Sequence, residues 1–388
     1  MGYLEFLAPG AAPAPAQPFP DGALCWSDVS CWDGAVPARG ARIHIEAGRT
    51  IVLDQDIDVA SLEIEGTLLI AGRDTQLRAG WILVHNGGRL AAGSPEQPFR
   101  EKLTITLCAG TSVTPHPDLG TKFLTALDGG TIDLQGEQRS SWVQLGSTVA
   151  PGHCNVRLAE PVDWRAGERV AIASGQDHAL VEEFVVRDVG PDCSSLTLDR
   201  SVAHRHHGQH ATLRHVVPGS IAKVLLLERN IVVEGCEDSV QSSLGGFCMI
   251  AGSMKPGTSA RRAIGRFSGV EFRRMGQFNR PGRYPLHWHN NGDAAESCVS
   301  GCLVHDSYQR GIVTVGSRHV RISGNVVMKP LGHGYIVESE DNSPQLQTTN
   351  LAVRPRVARF ADAAMRRYCE VRPRAFWIVR SPTQPVVH

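Results

Sequence analysis

The chain has 388 residues, and its 39 Lys plus Arg balance 39 Asp plus Glu, for a formal charge of zero. That balance excludes a broad electrostatic grip on nucleic acid or on an anionic membrane surface. No apolar run reaches the roughly 18 residues needed to span a bilayer, and 40 glycines with 23 prolines favour short strands and turns over long helices.

Residues 1–21 come first. Met1 to Pro20 lacks both the basic start and the apolar stretch of a secretory signal, and its Ala/Pro run reads as an extended linker. Residues 22–150 then carry short alternating strands with a repeat. Leu62-x-Ile64-x-Gly66-x-Leu68 is echoed at Ile82-x-Val84 and Gly88-x-Leu90, 20 to 22 residues on. Residues 151–218 have another texture. Val162 to Ile172, Val185-Val186 and Leu196-Thr197-Leu198 predict antiparallel strands with tight turns.

Residues 219–388 return to a repeat. Gly301-Cys302-Leu303-Val304-His305 recurs 23 residues later as Gly324-Asn325-Val326-Val327-Met328, and Arg310-Gly311-Ile312-Val313 recurs at the same offset as His333-Gly334-Tyr335-Ile336. Asn325 and Asn350 are either an internal asparagine ladder or two unrelated turn residues. Ala358 to Tyr368 has helical composition. The chain stops soon after Phe376-Trp377-Ile378, which begins another rung, so a shortened β-helix is expected.

Units of 20 to 25 residues with glycine at corners cannot bury an apolar face alone and must stack. The fold class expected is therefore all-β, a right-handed parallel β-helix with an inserted small antiparallel β-barrel-like unit. Ten cysteines, with Cys25/Cys31 and Cys298/Cys302 close in sequence, point to disulfides and an oxidising compartment. No Cys-x-x-Cys occurs, so a cysteine zinc site is not expected. Nucleotide, zincin and Gly-x-Ser-x-Gly hydrolase motifs are likewise missing.

Several separated motifs, in order, carry a resemblance. They are Trp26-Ser27-Asp28, Trp32, Val36-Pro37, Gly66, Gly87-Gly88, Val162-Asp163-Trp164, Gly269-Val270-Glu271-Phe272, Met275-Gly276-Gln277, Arg283-Tyr284-Pro285 and His287-x-His289. Over roughly residues 24 to 380 the chain resembles the extracellular G-eight-domain β-helix family, whose members include hyaluronan-binding proteins and a cell-surface hyaluronidase. The resemblance implies an extracellular or cell-surface protein that binds, and as a glycosidase-like hyaluronidase cleaves, a hyaluronan-like polysaccharide. The charge balance and the lack of a long apolar run leave no nucleic-acid partner and no membrane-spanning segment expected, and the oligomeric state stays open.

On a strand, Leu286 and Trp288 point one way and His287 and His289 the other. With the apolar pair inward, the repeat stacks His289, Val315 and Glu338 in one outward column, with His287, Val313 and Ile336 beside it. His287, His289 and Glu338 are the candidate catalytic residues, suited to general acid and base work on a sugar linkage. Arg283, Arg310, Trp288, His305, Asp306 and His333 are candidate substrate contacts, the arginines for a uronate carboxylate. Asp293 is a candidate ligand for a divalent cation such as calcium. His204-Arg205-His206-His207, with His210 and His215, is either a second metal site or packing at the end of the insert.

Relatives of this family place a histidine where the chain has Val315, and Glu-Asp-Gly-x-Glu after the Gly-His motif, where it has Glu338-Ser339-Glu340-Asp341-Asn342. The column is broken in its middle rung. Two alternatives to an enzyme follow: a non-catalytic binding or adhesion module, or an inactive β-helix fragment.

Overall fold

The computed structural model describes residues 19–32, 34–110, 113–177, 179–209, 220–252, 261–338, 349–357 and 373–379. The linker up to residue 18, the helical stretch expected at 358–368, His210, His215 and Ser339 to Asn342 lie outside the described residues.

Three parallel sheets of eight, eight and nine strands wrap into a β-helix. Their order follows the repeat seen in the sequence. Leu62 pairs with Ile82, and Leu68 with Leu90. In the later rungs Leu303 pairs with Val326, and Ile312 with Tyr335. A parallel strand cannot return through a two-residue hairpin. Each rung therefore passes through all three sheets before its next strand lands beside the first.

The interior is a continuous column of buried Ile, Leu and Val with a few aromatic rings. Each such side chain contributes about 1.5–3 kcal/mol by leaving water. Trp288 lies in this column, fully buried, its ring edge-on to Phe267 at 6.1 Å between centroids. The spacing of Gly66, Gly88 and Gly130 has a steric cause. A Cβ on any of them would come within 2.1–2.3 Å of a carbonyl oxygen of the rung below, those of Glu46, Ile64 and Val84 respectively.

Asn325 and Asn350 form the ladder. Asn325 Nδ2 donates to Asn350 Oδ1 at 3.0 Å, and Asn325 Oδ1 accepts from the backbone N–H of Cys302 at 2.9 Å. Stacked amides satisfy the corner's backbone groups inside the coil, where water cannot.

The antiparallel sheet has six strands, the first at Trp142–Gln144 and the last at Lys223–Leu226. It thus takes one edge strand and one inner strand from outside 151–218. Val156, Val170, Phe184, Val186, Leu196 and Leu226 form its own core. Its opposite face sets Ala171, Ala173, Leu225 and Leu227 against Leu303, Val326, Met328 and Val353 on the outside of the helix. In the histidine-rich turn His206 is buried, and its Nε2 lies 2.7 Å from Glu182 Oε2. Burial holds that ring's pKa below its ordinary value, a packing role.

The nine described cysteines are free thiols, and the tenth, Cys369, lies outside the described residues. The expected close pairs are not bonded. Cys25 is exposed while Cys31 is buried, and Cys302 points into the core while Cys298 is half-buried on a strand.

Candidate functional site

The strand Leu286–Asp293 sets the site. Leu286 and Trp288 are in the interior, so His287 and His289 face outward. In register with them on the next two rungs are Val313 and Ile336, and Val315 and Glu338. The strand carries a bulge between His289 and Gly292, with Asn290 and Gly292 at φ of 46° and 61°, and pairing resumes at Gly292 and Asp293.

One pocket of about 180 Å³ gathers His287, His289, Arg310, Glu338 and an apolar wall of Tyr284, Val313, Val315 and Ile336. His287 faces outward from the sheet yet is 2 % exposed, because the preceding loop folds over it. Tyr284 packs edge-on to it at 4.9 Å between centroids, and His287 Nδ1 lies 2.9 Å from the Gly282 carbonyl. A carbonyl only accepts, so Nδ1 carries the proton. Burial, with His289 and Arg310 nearby, pushes His287 down to about 3. The ring is therefore neutral at pH 7, with its lone pair on Nε2. Burial lowers His289 as well, and the two rings stand 5.0 Å apart.

Nε2 of His287 and Nδ1 of His289 are buried and have no hydrogen-bond partner among the described residues. Arg310 is buried too. Its Nη1 donates to Tyr284 Oη at 2.9 Å, and its guanidinium lies 5.6 Å from that ring's centre. The loop over His287 is held by Gln277, whose Nε2 donates to Gly245 O at 3.1 Å, and by Arg283, which donates to the Leu119 carbonyl and stacks 4.7 Å over Phe247.

The structure thus brings together His287, His289, Glu338 and Arg310, and separates the other candidates from them. Trp288 is sealed in the core and touches no external ligand. Arg283 is spent on Leu119 and Phe247 and positions the loop. His305 lies on the neighbouring sheet, 3 % exposed, between Glu271 at 2.9 Å and Asp306 at 2.9 Å. Those carboxylates outweigh burial and raise it to about 9, while Asp306 falls to about 2 through its bond to His305. His305 and Glu271 form a buried ion pair, with the exposed Asp306 at its edge, and none of the three lines the pocket. His333 is buried and accepts from the Arg374 backbone N–H at 3.0 Å.

Asp293 pairs with His319 at 2.8 Å beyond the bulge, and it does not line the pocket. Calcium takes about six to eight oxygen ligands. A pocket wall that offers imidazole nitrogens and one carboxylate fits it poorly. Sequence reasoning missed Tyr284, the lid on His287 and the partner of Arg310. No periodic signal marks it, because Tyr284 lies in the loop two residues before the strand that starts at Leu286.

A parallel β-helix with an inserted antiparallel sheet and a histidine-lined pocket on its outer face defines the class of protein. Two family models match, the G8 domain over residues 31–146 and the CEMIP beta-helix over residues 243–378. The chain belongs to the G8 β-helix family. It is 29 % identical to human Fibrocystin-L over 405 aligned residues, covering 94 % of this chain and 9 % of that protein. It is also 26 % identical to a G8 domain-containing protein of Dictyostelium discoideum, over 81 % of this chain and 27 % of that one. The chain therefore spans a small part of these relatives. Among solved structures, a tailspike protein from a Pseudomonas phage aligns over 77 % of this chain and 40 % of its own, at 12 % identity and a TM-score of 0.20.

Proposed function

We propose that this chain binds a hyaluronan-like acidic polysaccharide, at the cell surface or outside the cell, and cleaves it in the pocket of His287, His289 and Glu338. One observation carries the proposal. Two buried imidazole nitrogens in the wall of one pocket have no partner among the described residues. Buried polar atoms are seldom left unpaired, and a ligand hydroxyl or a proton in transit is a natural partner for them.

Two neutral imidazoles act as bases or hydrogen-bond acceptors at pH 7, so they suit activation of water or abstraction of a sugar proton. Glu338 supplies a carboxyl group two rungs from His289, about 10 Å along the stack. Arg310 is the group in the pocket suited to a uronate carboxylate. Tyr284, Val313 and Ile336 give a sugar ring an apolar surface to lie on.

A second reading is favoured by Val315. An apolar side chain stands between His289 and Glu338 in the column, which supports a pocket that binds without cleaving. A size assay on long hyaluronan separates the two. Shortening that His289→Ala abolishes supports the depolymerase. Unchanged polymer length with retained binding on immobilised hyaluronan supports the binding module. Loss of both would overturn the assignment to this polymer.

A further inference from the structure

A second cluster lies at the corner between two sheets, on rungs below the pocket. Cys108 directly follows the strand Leu103–Leu107, and Cys236 directly follows Ile231–Gly235. Those strands pair in parallel, with Leu107 opposite Gly235. The ladder runs one step further, since Cys236 N–H donates to the Leu107 carbonyl at 3.2 Å. The two cysteines therefore stand at adjacent positions on neighbouring rungs. Their sulfurs and a carboxylate oxygen of Asp238 all lie within 4.8 Å of one another.

Neighbouring parallel strands are about 4.8 Å apart, inside the Cα separation that a disulfide bridges. A metal ion is the competing occupant, and the charges oppose it. Both oxygens of Asp238 accept from Lys122 Nζ at 2.8 Å. Arg78 Nη2 lies 2.9 Å from Cys108 Sγ. A cation entering here would displace one positive group and sit beside another.

We propose that Cys108 and Cys236 are the site of a reversible disulfide that clips two rungs together. With a small-molecule disulfide such as oxidised glutathione as the oxidant, Cys108 loses its proton to water. Its thiolate attacks one glutathione sulfur, and the glutathione S–S bond breaks to release one glutathione thiolate. Cys236 Sγ lies 2.8 Å from Asp238 Oδ1 and gives up its proton to water as it attacks. The Cys236 thiolate then attacks Cys108 Sγ and expels the second glutathione thiolate. The released protons end on the two glutathione thiolates. Two protein thiols are oxidised and one glutathione disulfide is reduced.

Burial and its bond to Asp238 raise the Cys236 thiol, which makes Cys108 the first to react. The clip closes a loop that contains the whole antiparallel insert, and long closed loops stabilise most in the chain-entropy description.

The test uses the full chain incubated with oxidised or reduced glutathione, then denatured, alkylated and digested. The expected result is a Cys108–Cys236 linked peptide in the oxidised sample alone, and a melting temperature several degrees above that of the reduced sample. In Cys108→Ser the linked peptide and the rise should both vanish. Quantitative alkylation of both thiols after oxidation would overturn the proposal, and so would one zinc retained per chain and released by thiol alkylation. The peptide readout is made on the unmodified chain, so a folding defect in the variant cannot obscure it.

Discussion

His289 and Glu338 stand in one outward column, two rungs apart, with Val315 in register between them. An apolar residue in the middle of a polar column breaks any relay of protons or ligand bonds along it. Replacing Val315 by His would restore a third imidazole at that rung. Val315 is half-buried against Tyr284, Val313 and Ile336, so Val315→His should cost about 1 kcal/mol of stability. In the size assay it should shorten hyaluronan at least about tenfold faster than the parent chain, equivalent to ~1.4 kcal/mol of barrier. No gain, with unchanged binding, would count against a catalytic column.

The pocket also sets the acid side of the stability curve. His287 in the folded chain titrates at about 3, against about 6.5 unfolded. Between those values the unfolded state binds the extra proton, so stability falls as pH drops below 6.5. The full loss, at about 1.4 kcal/mol per unit, approaches ~5 kcal/mol by pH 3. His289 and His206 act in the same direction. Asp306 and Glu271 add to the loss only below about pH 4.5, where unfolded carboxylates begin to protonate. The range from 6.5 to 4.5 thus belongs to histidines. His287→Asn keeps a donor for the Gly282 carbonyl, and urea titrations at pH 5, 6 and 7 should show a shallower acid slope, by about one proton. An unaltered slope would place the ring's folded pKa near its ordinary value.

Much of this arrangement was legible in the sequence, because β-helix rungs follow arithmetic. The offsets between Leu62 and Ile82 and between Leu303 and Val326 are the observed pairings, and the column from His289 to Glu338 comes from the same counting. Side-chain alternation correctly separated Leu286 and Trp288 from His287 and His289. It could not show that Tyr284 and Gly282 bury His287, because a loop's path over a sheet has no period. Nor could it place His305, whose neighbour Glu271 lies on the rung below and pairs opposite Leu303. The cysteine spacing misled for a related reason. Cys298 and Cys302 are four apart in sequence but on opposite sides of a sheet corner, whereas Cys108 and Cys236 are distant in sequence and adjacent in register.

His305 titrates in the opposite sense to His287. Its folded pKa of about 9 lies above the unfolded value, so its contribution is complete below pH 6.5 and is lost as pH rises through 9. Removing one partner of a buried ion pair typically costs about 3–5 kcal/mol. His305→Gln should therefore be destabilised at pH 6.5, and its deficit should shrink between pH 7 and 9. Hyaluronan binding measured within the folded range should match the parent, since His305 faces Glu271. A binding defect in well-folded His305→Gln would return this residue to the site.

Of the two arginines expected to meet the uronate, Arg310 lines the pocket and Arg283 does not. Arg283 is committed to the Leu119 carbonyl and the Phe247 ring, and burial lowers its pKa. Arg310 lines the pocket beside His287, with its guanidinium against Tyr284. A charge-assisted bond contributes about 1.5–3 kcal/mol. Arg310→Gln should therefore weaken hyaluronan binding by about ten- to a hundredfold. Polymer with its carboxylates methyl-esterified should bind the parent chain as weakly, and the substitution should weaken it no further. That non-additivity distinguishes carboxylate recognition from damage to the pocket wall, which would lower affinity for both polymers alike. Arg283→Gln should instead lower stability and loosen the loop over His287, with a smaller effect on affinity. If the parent cleaves, the products report the chemistry that Arg310 assists. An ultraviolet-absorbing unsaturated uronate marks elimination, in which a neutral imidazole removes the proton beside a carboxylate neutralised by arginine. New reducing ends without that absorbance mark hydrolysis, in which the same imidazole activates water.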